Sequence, residues 1–129
     1  PMSGFGERFR RAGYTVPKPL IQIDGKSIIE HVIDMFPGEN NFIFICNQGH
    51  LDNSDYNMEK ILKNYCPMGK VIGIPSHKLG PVHAVQQVIS ELNMDEPVIV
   101  NYCDFTCYWD FDHFRSFVVK SGVFPSSVL

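Results

Sequence analysis

The chain is poor in the features that mark several large protein classes. It has no apolar run of membrane-spanning length, so no membrane span is expected, and no signal-peptide pattern is visible. It has no excess of positive charge: 11 Lys and Arg stand against 14 Asp and Glu, a formal net charge of −3. Beyond Arg8, Arg10 and Arg11 there is no basic tract, which argues against nucleic acid as the main partner. Cysteine is scarce as well. Cys46, Cys66, Cys103 and Cys107 are scattered among strand-like segments rather than spaced as a disulfide framework. Reduced thiols and a cytoplasmic location follow as expectations. Cys103, Cys107 and His113 fit no standard zinc spacing. Repeats and low-complexity stretches are absent.

What is present is material for a core. Hydrophobic residues make up 44% of 129 residues, ordinary for a globular protein and enough for one domain. The runs at 42–46 and 97–102 read as buried strands, with a further strand at 70–74. Between them the period changes. Ser27 with Glu30 forms a capping-box pattern ahead of Ile28, Ile29, Val32, Ile33 and Phe36, which recur at helical spacing until Pro37-Gly38. Asp55 is expected to cap a helix running to Tyr65. Pro81 should start a helix reaching about Leu92, with Val82, Val85, Val88, Ile89 and Leu92 inward. Asp110 or Asp112 caps a last helix over 113–120. Residues 1–19 read as a loop with a helical turn at Glu7–Arg11, followed by an extended piece over 20–23 and an Asp24-Gly25 turn. Alternating strands and helices predict a mostly parallel α/β sheet, whose ligands sit at the carboxyl ends of its strands.

The opening loop carries the clearest chemistry. Gly4 and Gly6 let backbone N–H groups approach an anion closely. Arg8 offers a planar phosphate fork, and Lys18, held between Pro17 and Pro19, a positioned point charge. The dinucleotide fingerprint would want glycine where Phe9 stands, and the complete P-loop pattern does not occur.

The segment Gly4-Phe5-Gly6-Glu7-Arg8-Phe9, with Pro17-Lys18-Pro19-Leu20-Ile21 and Asp24-Gly25-Lys26-Ser27-Ile28-Ile29 after it, resembles the N-terminal signature of sugar-phosphate nucleotidyltransferases. The likeness extends from Pro1 to about Phe117. It departs from the family pattern at Glu7, where threonine or serine is usual, as in a divergent capsule or surface-polysaccharide branch. The resemblance implies a Rossmann-like three-layer α/β/α fold, the nucleotide-diphospho-sugar transferase fold, with its first strand largely missing here. Members of that family are longer, so residues 1–129 read as a single partial domain. The stretch from Gly122 to Leu129 matches nothing expected from the family.

The resemblance also assigns roles. Ser3, Gly4, Phe5, Gly6 and Gly80 would contact the nucleotide, with the loop wrapping triphosphate and base. Arg8 would hold the departing pyrophosphate, and Lys18 the α-phosphate and incoming sugar phosphate. Asp104 resembles the family's first Mg²⁺ aspartate, the reading preferred here over a loop aspartate capping a turn. His77, Lys78 and His83 are candidates to line the pocket, and Trp109 and Tyr108 either stack on a ligand or simply pack. The expected activity is transfer of a nucleoside monophosphate from a nucleoside triphosphate to a sugar phosphate, with Mg²⁺ as cofactor. The segment alone is expected to be inactive, and its open sheet edges would favour self-association. A related glycosyltransferase would carry Asp-x-Asp, but Asp104-Phe105-Thr106 stands there. A non-catalytic nucleotide-binding module is the third reading.

Overall fold

The computed structural model describes residues 1–122; the sequence reading of the terminal run therefore lies outside the described residues, apart from Gly122. The architecture is mixed α/β, with six α-helices and a parallel pair of strands among the described residues. The two principal strands match the sequence reading closely. β3 (Ile43–Asn47) pairs in parallel with β4 (Lys70–Ile74), Ile43 opposite Lys70 and Asn47 opposite Ile74. Their crossover contains α3 (Gln48–Asp52) and α4 (Met58–Tyr65). A short antiparallel hairpin, β1 (Gln22–Ile23) and β2 (Lys26–Ser27), turns at Asp24-Gly25. Gly25-Lys26-Ser27 does spell the final triplet of a P-loop, but Leu20 stands where the first glycine would be, and the triplet lies in the hairpin.

β3 explains why a core forms on two sides. Its side chains alternate between faces, as strand geometry requires. Phe44 and Cys46 join Met2, Leu20, Ile29, Val32, Phe36, Met58, Leu62, Cys66 and Phe111 in one apolar cluster. Ile45 joins Ile74, Ala84 and Val88 in another. The first cluster is supplied by α2 (Ile28–Ile33), α4 and the start of α6 (Phe111–Ser121), the second by α5 (Gly80–Gln87). Helix ends follow the local chemistry. Glu30 accepts the Ser27 N–H, the return arm of the expected capping box. Asp110, not Asp112, caps α6 by accepting the His113 N–H at 2.8 Å.

Three expectations are corrected. The helix expected from Asp55 begins instead at Met58, because Asn53 caps a 3₁₀ turn over Ser54–Tyr56 and Asn57 then adopts a left-handed conformation. The helix from Pro81 ends at Gln87, and a separate 3₁₀ turn covers Ile89–Glu91, leaving Val82 and Ile89 71% and 50% exposed rather than inward. The apolar run 97–102 forms no strand. Val98, Ile99 and Val100 are 50%, 40% and 50% exposed; a strand is defined by its partner, and none pairs with this run among the described residues.

Met58 is 1% exposed and Met68 77% exposed, so the same substitution separates core from surface. Met58→Ala is expected to cost about 2–5 kcal/mol of unfolding free energy, whereas Met68→Ala should stay within about 0.5 kcal/mol, read from urea denaturation midpoints.

Candidate functional site

The glycine loop is pinned to the carboxyl end of β3. Met2 bridges to Cys46 in parallel and donates its N–H to the Ile45 carbonyl at 2.7 Å. One residue on, the Asn47 amide donates to the Ser3 carbonyl at 3.3 Å. Asn47 is 2% exposed, and its Oδ1 also accepts from the Gly49 N–H at 2.9 Å and the Ser76 hydroxyl at 3.2 Å. One buried amide thus ties together the glycine loop, the start of α3 and the loop after β4. Gly6 then takes a left-handed conformation (φ 64°) and opens α1 (Glu7–Arg11). That backbone turn favours glycine, as the sequence suggests.

A cavity of about 520 Å³ opens beside this loop. Ser3, Gly4, Phe5, Gly6, Arg8, Lys18, Gly80 and Asp104 all line it, so the fold brings these eight candidate residues to one place. His77 and Lys78 line it too. Gly80 is at φ 84° and starts α5 with Pro81 in its first turn, so backbone rather than side chain faces the cavity there. His83 stands with its ring 4.8 Å from that of His77. Trp109 and Tyr108 are elsewhere. Trp109 packs edge-on against Phe36 and donates its indole N–H to the Met35 carbonyl at 2.8 Å, and Tyr108 is fully exposed.

The charges in the cavity are arranged as exchangeable pairs. Lys18 makes an ion pair with Asp104, and its Nζ sits 4.8 Å from the centre of the Phe9 ring. Lys78 pairs with Glu7 at 3.2 Å and stands over the Phe5 ring. Arg8 is exposed and has no ion pair among the described residues. Partly exposed pairs of this sort contribute about 0–1 kcal/mol each, so an anion can displace a carboxylate from its lysine at little cost. The His77 proton can be placed from its partners. Leu79 N–H donates to Nδ1 at 3.3 Å, so neutral His77 carries its proton on Nε2 and donates to Ser3 Oγ at 3.2 Å. The Ser3 hydroxyl proton is left to donate elsewhere.

The fit to Mg²⁺ rests on Asp104. No group of three or more His, Cys, Asp or Glu side chains that could hold a metal occurs among the described residues. A single hard carboxylate beside a glycine loop suits Mg²⁺, which takes one or two carboxylates and completes its shell with phosphate oxygens and water. Asp104 could hold such an ion only together with ligands from outside the protein, since the described residues form no preformed cage.

Two thiols lie beside the loop. Burial pushes the Cys46 thiol up to about 12, and burial with the neighbouring Asp104 carboxylate pushes Cys103 up to about 11. Sequence reasoning missed Asn47, because a lone asparagine after an apolar run carries no local pattern. Its place at the carboxyl end of β3 was the available signal. No family model matches the chain, and no solved structure matches it.

Both thiols stay protonated in the fold at pH values where the unfolded chain has ionised them. Stability is therefore complete below about pH 9 and falls as pH rises toward the folded values. Urea midpoints measured at rising alkaline pH should fall, and the fall should be shallower in Cys46→Ala, compared with the same variant at neutral pH. Asn47→Ala leaves the carbonyl of buried Ser3 without its donor and removes the acceptor of the Gly49 N–H, and should lower stability by about 1–3 kcal/mol by the same measurement.

Proposed function

We propose that this chain is the nucleotide-binding part of a sugar-phosphate nucleotidyltransferase, built on a Rossmann-like three-layer α/β/α fold. The observation that carries the reading is the convergence of Ser3, Gly4, Phe5, Gly6, Arg8, Lys18, Gly80 and Asp104 on one cavity at the carboxyl end of β3. That is the edge where open parallel sheets take their ligands. Support for the layering comes from the helices packed against both faces of β3.

In this reading a sugar-phosphate oxygen attacks the α-phosphorus of a nucleoside triphosphate. A new oxygen–phosphorus bond forms, the bond to the β-phosphate oxygen breaks, and pyrophosphate leaves. Such a displacement needs alignment and charge neutralisation more than an acid or base. Lys18 leaves Asp104 to hold the α-phosphate and the incoming phosphate, and Arg8 holds the pyrophosphate. Ser3 and the backbone of Gly4, Phe5 and Gly6 border the triphosphate, and Gly80 lets the chain approach the base. Mg²⁺ held by Asp104 and the phosphates would supply further charge neutralisation. The product, a nucleotide sugar, suits capsule or surface-polysaccharide synthesis. One observation favours a second reading, nucleotide binding without turnover: no second carboxylate joins Asp104 in a metal-binding group among the described residues.

Calorimetry with Mg²⁺ and each of the four nucleoside triphosphates tests binding. Pyrophosphate release with a panel of sugar 1-phosphates tests transfer. One triphosphate should bind, with affinity reduced about tenfold or more, ~1.4 kcal/mol, in Arg8→Ala and in Lys18→Ala. Binding without release supports the second reading. Absence of binding by every triphosphate would sink both.

A further inference from the structure

Three consecutive side chains after β4 reach across to the glycine loop and its anchor. The Ser76 hydroxyl donates to Asn47 Oδ1 at 3.2 Å, His77 donates to Ser3 Oγ at 3.2 Å, and Lys78 pairs with Glu7 at 3.2 Å. The three rungs differ in burial. Asn47 and Ser3 are buried, whereas the Lys78 and Glu7 side chains are 77% and 55% exposed. The inner two rungs hold the loop after β4 against the glycine loop, and the outer one opens at little cost. Lys78, Glu7 and Arg8 all line the cavity, and Lys78 Nζ stands 5.9 Å from the centre of the Phe5 ring. An anion entering the cavity therefore meets a lysine already held there, with a carboxylate as its partner.

What becomes of Glu7 when Lys78 turns away decides whether the exchange is favourable. Left alone, its carboxylate would face the incoming phosphates and oppose them. Asp104 meets the same difficulty on losing Lys18, and in the proposed reading a divalent cation takes over there. Glu7 has a recourse on its own helix. Glu7 and Arg11 are the first and last residues of α1, four apart, so their side chains lie on one face, a turn from each other. A carboxylate four residues ahead of a cation is also the more favourable order. Arg11 is exposed, lies outside the cavity lining and makes no ion pair among the described residues. The other two arginines of α1 are placed differently. Arg8 is next to Glu7 in sequence, and adjacent positions on a helix do not face each other. Arg10 lies toward α3, where burial and then the Arg10 charge hold the His50 imidazole below its ordinary range.

We infer that Lys78 is a further phosphate-binding residue of this cavity, and that Glu7 is the toggle that releases it, turning from Lys78 to Arg11 as the anion arrives. The inference rests on the proposed reading in taking the cavity for a phosphate site. No covalent bond changes; three charged side chains and one phosphate exchange partners. Before binding, Glu7 neutralises Lys78. After binding, the phosphate holds Lys78 and Arg11 neutralises Glu7. Glu7 is thus a built-in competitor of the anion, and Arg11 promotes binding of a ligand it never touches.

Calorimetry on a cycle of variants, all at exposed side chains, tests the toggle. The probes are each of the four nucleoside triphosphates with Mg²⁺, and inorganic tripolyphosphate. Lys78→Ala should weaken binding about fivefold, and Glu7→Gln should tighten it about twofold or more. Arg11→Gln should weaken it about twofold to fivefold, and Arg10→Gln, which removes the same charge, should weaken it less. With Glu7→Gln already in place, Arg11→Gln should do no more than Arg10→Gln. A full Arg11 effect in that background would overturn the toggle, because Arg11 would then act through its field alone. Recovery of Lys78→Ala by Glu7→Gln to the affinity of the unchanged protein would overturn Lys78 as a phosphate ligand and leave it a screen for Glu7. An unchanged affinity in Lys78→Ala would overturn it as well. Binding of tripolyphosphate but of no nucleoside triphosphate would sink the nucleotide reading while the cycle still decides the toggle; binding of neither would sink both.

Discussion

Met2 donates one backbone hydrogen bond to Ile45, and through it a flexible glycine loop is fixed to the end of a strand buried on both faces. The glycine-loop residues of the candidate site depend on that tie. Ser3 follows Met2 directly and is held again by Asn47. Gly4 and Gly6 then carry the chain around the cavity into α1, which presents Arg8. Without the tie the loop would have no fixed relation to Asp104 or Gly80, which come from much later in the sequence. The strength is collective. One hydrogen bond is worth about 1 kcal/mol net, but Met2 also buries its side chain in the main apolar cluster, and Asn47 adds a buried amide with several partners.

The cavity is electrostatically balanced rather than strongly positive. Lys18 and Lys78 each sit against a carboxylate, Asp104 and Glu7, and both also lie near aromatic rings. These contacts hold the lysines in place at little stabilising value per pair. In the proposed reading a phosphorylated ligand arrives with a divalent cation, so that the phosphate would take the lysine as the cation takes the aspartate. In the proposed reading, the same two side chains then change partners with no net charge left unpaired.

Much of the local structure was legible in the residues. β4 at Lys70–Ile74, the turn at Glu7–Arg11, the Ser27–Glu30 cap and an aspartate cap at Asp110 or Asp112, which the structure places at Asp110, follow from short-range chemistry: periodicity, a carboxylate within reach of free N–H groups, a proline or glycine at an end. The errors have a common cause. Residues 97–102 are apolar enough for a buried strand, but apolarity reports only a wish to be covered, and a strand needs a neighbour. The helix from Pro81 stops at Gln87 despite apolar residues continuing at helical spacing, because Val88 turns into the core at non-helical backbone angles (φ −118°, ψ 16°).

Which side chains this site has to work with was written in the chain: a glycine between Phe5 and Glu7, an arginine soon after, a lysine braced by prolines, an aspartate after an apolar run. These are properties of short stretches, set by backbone sterics and side-chain chemistry, and they hold wherever the stretch is placed. That they meet follows from packing between distant segments. Lys18 and Asp104 are brought together because Phe44 and Cys46 draw Met2, α2 and the start of α6 onto one face of β3, while Ile45 draws α5 onto the other. The cavity lies where those two burials leave the backbone exposed, and burial of apolar surface from distant segments cannot be read from any one of them.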